Sequence, residues 1–169
     1  MAQKPLARIT VKDICDAADL NRSTYYRYFT DPYDQMTKLE AQIIQEMEDC
    51  LDEYIQKEGG AEDIAKLYSV VLQVLRYIES KQEMFTILLG NKGDLSLQED
   101  ILAALADKLL PQNFKEPGSK ALLQKFIFIS NGSFGMIYYW LMAEHKEPIE
   151  ELAKQITSMA LAVARDKTR

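Results

Sequence analysis

Two helix N-caps, Thr10 and Asn21, stand so close together in ITVKDICDAADLNRSTYYRYF (residues 9–29) that only one small helix and a tight turn fit between them. Thr10 has Asp13 three residues on, a capping-box variant, and Ile9 and Ile14 occupy the two positions of a hydrophobic staple. Ile14, Cys15 and Ala18 then share an apolar face. Asp19 falls where the chain must turn, and Asp tolerates the left-handed conformation better than most residues. Asn21 caps a second helix, with Leu20 and Tyr25 as its apolar pair. Arg22, Ser23, Thr24, Tyr26 and Arg27 lie near the start of that helix. Side chains placed there reach base edges and phosphates when a helix enters the major groove end-on. The segment predicts a helix-turn-helix. The plain alternative is a helical hairpin with two aromatic residues in its core.

Charge bears on that choice. The chain carries a net −6 and a pI of about 4.9, which alone argues against a nucleic-acid binder. The distribution of charge points the other way. Residues 1–29 hold Lys4, Arg8, Lys12, Arg22 and Arg27 against Asp13, Asp16 and Asp19, a net +2, and the remainder carries −8. A basic tip on an acidic body presents one end to DNA.

Beyond Phe29 the pattern is helical throughout. Asp31 and Pro32 open a long helix with an N-cap and a first-position proline, and Met36, Leu39, Ile43, Met47, Cys50 and Tyr54 recur along it at helical steps until Gly59-Gly60. Glu62–Glu79, Gln82–Leu89 and Leu97–Leu110 follow as amphipathic or apolar helices, then a Pro- and Gly-bearing loop over 111–118. Residues 119–143 are apolar nearly all round, which predicts burial on several sides. Glu147-Pro148 starts the last helix, whose stripe is Ile149, Leu152, Ile156, Met159, Ala160 and Val163. No stretch alternates with period two, so the expected fold is all-α.

Catalysis finds little to work with. Cys15 and Cys50 sit on apolar helix faces without metal-ligand spacing and read as reduced core cysteines of a cytosolic protein. The one histidine, His145, stands at a helix end, where it stabilises terminal carbonyls. No phosphate-cradling glycine loop is present. MAQKPLAR has no apolar core of a signal peptide, and Phe126–Trp140 is broken by Ser130, Asn131, Gly132, Ser133 and Gly135, too polar for a membrane span. The expectation is no enzyme, no cofactor and no metal.

The run ITVKDICDAADLNRSTYYRYFTDPYDQM closely resembles the DNA-binding segment of the tetracycline-repressor (TetR) family of bacterial transcription regulators. Ile9-Thr10, Ile14, Ala17-Ala18, Thr24, Tyr26 and Phe29 fall where the family's pattern places them. Two residues depart from it: Asp19 stands where the family usually has Gly, and Pro32 where it usually has Lys, which puts one of the family's phosphate contacts in question. The family also has a full helix before Ile9; here KPLAR reads as its tail, so the first helix of the DNA-binding domain is expected to be lacking. Near the other end, GMIYYWLMAEHKEPIEELA is similar to the family's low-GC Gram-positive branch.

The resemblance implies a division into a helix-turn-helix DNA-binding domain at 1–32, a connecting helix at 33–57 and a ligand-binding and dimerisation domain at 58–169. It assigns DNA contact to Thr10, Lys12, Asn21, Arg22, Ser23, Thr24, Tyr25, Tyr26 and Arg27. Tyr68, Phe85, Phe126, Asn131 and Tyr138 are candidates for a small-molecule pocket, Asn131 because a buried Asn must find partners. Trp140, Leu152, Ile156, Met159 and Val163 are candidates for a four-helix dimer interface, which Gly132 and Gly135 would let close up. The expected function is that of a cytoplasmic, homodimeric, ligand-responsive repressor. It would read a palindromic double-stranded operator through the helix at 21–29, with an unidentified small-molecule effector and no membrane. The missing first helix and Pro32 motivate an alternative, a regulator-derived co-regulator that works through protein partners with weak or no DNA binding.

Overall fold

The computed structural model describes residues 6–58, 64–90, 96–109 and 120–165, and every regular element among them is a helix. After a short 3₁₀ turn at Leu6–Arg8 come α1 (Val11–Ala18), α2 (Arg22–Tyr25), α3 (Pro32–Glu58), α4 (Ile64–Ser80), α5 (Gln82–Gly90), α6 (Ser96–Leu109), α7 (Lys120–Met142) and α8 (Ile149–Arg165). The loop expected at 111–118 and the glycine pair at 59–60 lie outside the described residues. The chain divides into two compact units, 1–45 and 46–169, and the division falls within α3.

Local chemistry sets the elements of the first unit. Thr10 and Asp13 form the reciprocal capping box: the Asp13 amide donates to Thr10 Oγ1 at 3.2 Å and the Thr10 amide to Asp13 Oδ2 at 2.9 Å. Asp19 ends α1 in the left-handed conformation, at φ 52° and ψ 45°. Asn21 Oδ1 accepts from the Ser23 amide at 3.4 Å and opens α2. The second helix is shorter than the expected 21–29. Its last turn tightens, with the Arg27 amide bonding to the Thr24 carbonyl and the Tyr28 amide to that of Tyr25, the three-residue closure common where a helix runs out. Packing of the Tyr25 and Phe29 rings, 5.4 Å between centroids, accompanies that tightening. Asp31 Oδ1 then accepts from the amides of Tyr33 and Asp34 at 2.8 and 2.9 Å and starts α3.

In the second unit, α8 packs on α4 and α7, α5 on α4 and α7, and α6 on α7. The buried face of α8 is Ile149, Leu152, Ala153, Ile156, Thr157 and Ala160. Met159, assigned to that stripe from sequence, is on the other side and 58% exposed. A similar shift occurs on α3, where Leu51 is buried in place of Cys50, whose sulfur instead accepts from Gln73 Nε2 at 3.2 Å. Glu46 receives Tyr77 Oη and Lys81 Nζ, each at 3.1 Å, and Asp52 pairs with Lys108, so the C-terminal part of α3 is fastened within this unit. Burial, and then the Glu46 carboxylate, push the Tyr77 hydroxyl pKa well above the usual tyrosine value. Trp140 Nε1 donates to the Glu147 carbonyl at 2.8 Å beneath the Lys146 ammonium, which closes the α7–α8 turn.

A single chain does not cover α7 on every side. Phe128, Tyr138, Tyr139 and Met142 are exposed in the single chain, as are Leu122 and Ile127. The helices that pack on α7, namely α5, α6 and α8, do not reach these positions, so an all-apolar sequence here leaves a bare side.

Candidate functional site

Three features of the structure are candidates for a functional site. The first is the surface around α2. Asn21, Arg22, Ser23, Tyr26 and Arg27 are exposed, as are Thr10 and Lys12 at the start of α1, and Thr24 is half-buried. The helix offers its N-terminal end with those side chains around it, and two arginines and a phenol hydroxyl are suited to phosphates and base edges. Tyr25 does not belong with them. It is 3% exposed, and its ring lies edge-on to Tyr26 and against Phe29, so it holds α2 in place rather than facing a ligand. Its hydroxyl is buried without a hydrogen-bond partner among the described residues, and burial, followed by Asp31 and Asp34, raises its pKa.

Lys38 fastens the far end of α2 to α3. Its Nζ donates to the Tyr28 carbonyl at 2.9 Å and to Asp34 Oδ2 at 3.0 Å, and lies 5.6 Å from the centre of the Phe29 ring. Asp34 also accepts from the Thr30 amide at 2.8 Å, and this bond first, then Lys38, holds the Asp34 carboxyl pKa below its usual range. Sequence reasoning missed Lys38, because its partners are the backbone and ring of residues about ten positions away. Its spacing of four from Asp34 was the available signal.

The second feature is a cavity of about 150 Å³ inside the second unit. Val74 of α4, Phe85 of α5, Leu102 of α6, Phe126 of α7 and Ile156 of α8 line it, and so does Met47 of α3. Of the five pocket candidates, Phe85 and Phe126 are in this wall. Tyr68 is half-buried and outside it, and Tyr138 is exposed. Asn131 is exposed too, so the burial argument made for it falls away. Its Nδ2 donates to the Ile127 carbonyl at 2.9 Å and its Oδ1 accepts from Gln98 Nε2 at 3.2 Å. The sequence missed Val74 and Leu102, which look like any other core residues.

The third feature is the bare side of α7. Phe128, Gly132, Gly135, Tyr139 and Met142 recur at alternating steps of four and three and are all exposed, in the spacing of a helix–helix seam. A Cβ added at Gly132 or Gly135 would meet nothing within 4 Å. Beside the seam an apolar groove runs between α7 and α8, lined by Phe128, Met136, Met159 and Val163 among others. Trp140, Leu152 and Ile156, the other interface candidates, are buried in the chain's own core at 4%, 2% and 3% exposure, so the interface assignment is corrected for them: a side chain already covered by its own subunit has little surface to offer a second one.

No helix among the described residues is long and apolar enough to cross a membrane. In comparisons with known proteins, the TetR C-terminal family described as "transcriptional regulator C-terminal region" matches residues 65–161, from the start of α4 well into α8. No curated protein and no solved structure matches the chain.

Proposed function

We propose, for a chain that belongs to the TetR family of transcriptional regulators, that its first unit binds a palindromic DNA operator as one half of a homodimer and that a small molecule in the second unit controls that binding. The family is one of regulators rather than enzymes, and the observation that carries the finer reading is the surface of α2. A helix capped by Asn21 presents Arg22, Ser23, Tyr26 and Arg27 to solvent around its N-terminal end while Tyr25 anchors it from behind. Such an arrangement serves direct contact with bases and phosphates in a major groove.

The bare seam of α7, with Met159 and Val163 of α8, supports pairing with a second copy of the chain, which would double the recognition helices and match a palindrome. Continuity of α3 supports the control step. This helix runs unbroken from Pro32, which follows the DNA-facing segment in the chain, to Met47 in the cavity wall and on to Glu58. A ligand that favours one arrangement of the cavity wall shifts the population of DNA-competent protein by its differential affinity for the two states. Repression follows if the bound operator overlaps a promoter.

Fluorescence anisotropy with the DNA upstream of its own coding sequence tests the reading. Arg22→Ala should weaken binding by about 1–3 kcal/mol and relax specificity at one base position, while Tyr26→Phe should weaken binding to all sequences alike. Unchanged affinity in both variants at physiological salt would remove the recognition assignment.

A further inference from the structure

The cavity of the second unit is informative for what its wall omits. Among the described lining residues none is Asp, Glu, Lys, Arg, His, Asn or Gln, and the polar side chains are the hydroxyls of Ser130 and Ser133. Ser130 Oγ is already 3.3 Å from the Ile127 carbonyl of its own helix, which accepts its proton. A carboxylate, ammonium or phosphate brought into such a wall would give up its hydration and meet no opposite charge, the costliest kind of burial. An uncharged apolar molecule fares differently: a space of this size accepts one as large as benzene, because neither side loses a hydrogen bond.

The chemistry and the volume together restrict the ligand. We propose that the cavity binds a small uncharged, hydrocarbon-rich molecule, on the scale of one aromatic ring or a short alkyl chain, and rejects charged analogues of the same shape. A single hydroxyl is tolerated beside Ser130, whose oxygen can still accept a hydrogen bond. The ligand meets Met47 directly, so its occupancy bears on α3. The regulatory meaning of the site rests on the function proposed above; the ligand class rests on the wall alone.

Titration of the full chain with benzene and with benzoate, followed by melting temperature and by calorimetry, tests this. Benzene should raise the melting temperature in a dose-dependent way, as any ligand of the native state does. Benzoate should bind roughly a hundredfold or more weakly, since its ring carries a charge that nothing in the wall compensates. Val74→Phe and Leu102→Phe add bulk at half-buried wall positions on different helices and should weaken benzene at least about tenfold while helicity by circular dichroism is retained. Using both variants guards against one of them failing to fold. Benzoate binding as tightly as benzene would overturn the proposal. So would no benzene binding by the folded chain, or unchanged benzene affinity in either folded variant. Benzene binding that leaves operator affinity unaltered would support the ligand class and overturn the effector role, so the two readings fail separately.

Discussion

Replacing Tyr139 by Glu separates the proposed dimer seam from the chain's own core. Tyr139 is 79% exposed and shares its stripe with Phe128, itself 67% exposed, and with two glycines that leave room for a close neighbour. Full burial of such a side chain contributes about 1.5–3 kcal/mol, and with most of Tyr139 still uncovered roughly 1–2.5 kcal/mol remains to be gained when a second copy docks. A two-fold interface contains the residue twice, so the substitution removes about 2–5 kcal/mol before the cost of desolvating two carboxylates is added. At about 1.4 kcal/mol per tenfold, the dimer dissociation constant should rise by about thirtyfold to a few thousandfold, and further once the carboxylates are counted. The subunit itself should hardly notice: exposed substitutions usually stay within about 0.5 kcal/mol. Ile156→Glu is the contrasting control, since Ile156 is 3% exposed and its carboxylate would be buried without a partner, which unfolds the second unit instead of merely parting two copies. Sedimentation equilibrium at micromolar concentration, paired with thermal melts, reads both effects. The reasoning is refuted if the Tyr139→Glu protein dimerises as the parent does, or if it loses its helical signal as Ile156→Glu should.

Two further outcomes concern the first unit. Tyr25→Phe deletes a buried hydroxyl that has no partner among the described residues, so stability should stay level or rise by up to about 1 kcal/mol, with operator affinity intact because the ring is what holds α2. A calorimetric loss greater than that would show that the hydroxyl is bonded in solution. Asp34 has its folded-state pKa lowered below 3.8, first by the Thr30 amide and then by Lys38, so its contribution is complete above 3.8 and is lost as pH falls through the folded value. Acid titration should therefore free the Thr30 amide to exchange below that point, and an Asp34→Asn variant with the same acid profile as the parent would sink the assignment.

Much of the first unit was legible without coordinates. The Thr10–Asp13 capping box, the left-handed Asp19, the Asn21 cap and the Asp31-Pro32 start of α3 all took the forms their residues prescribe. Each is an interaction between residues at most four apart, and such interactions are complete in the local sequence. The all-α class was legible for the same reason, since helical periodicity is a local property. Which faces are covered was not. Periodicity shows that Leu152, Ile156 and Met159 can share a stripe, yet α4 and α7 approach α8 from a direction that covers the first two and leaves Met159 bare. On α7, apolar on every side, periodicity carries no directional signal at all, so the exposure of Phe128 and Tyr139 and of Asn131 between them emerges only when its neighbours are in place. The cavity is the extreme case. Its wall draws Met47, Val74, Phe85, Leu102, Phe126 and Ile156 from six helices, and an unfilled volume is a property of how side chains from distant positions fail to meet, which no single stretch of chain contains.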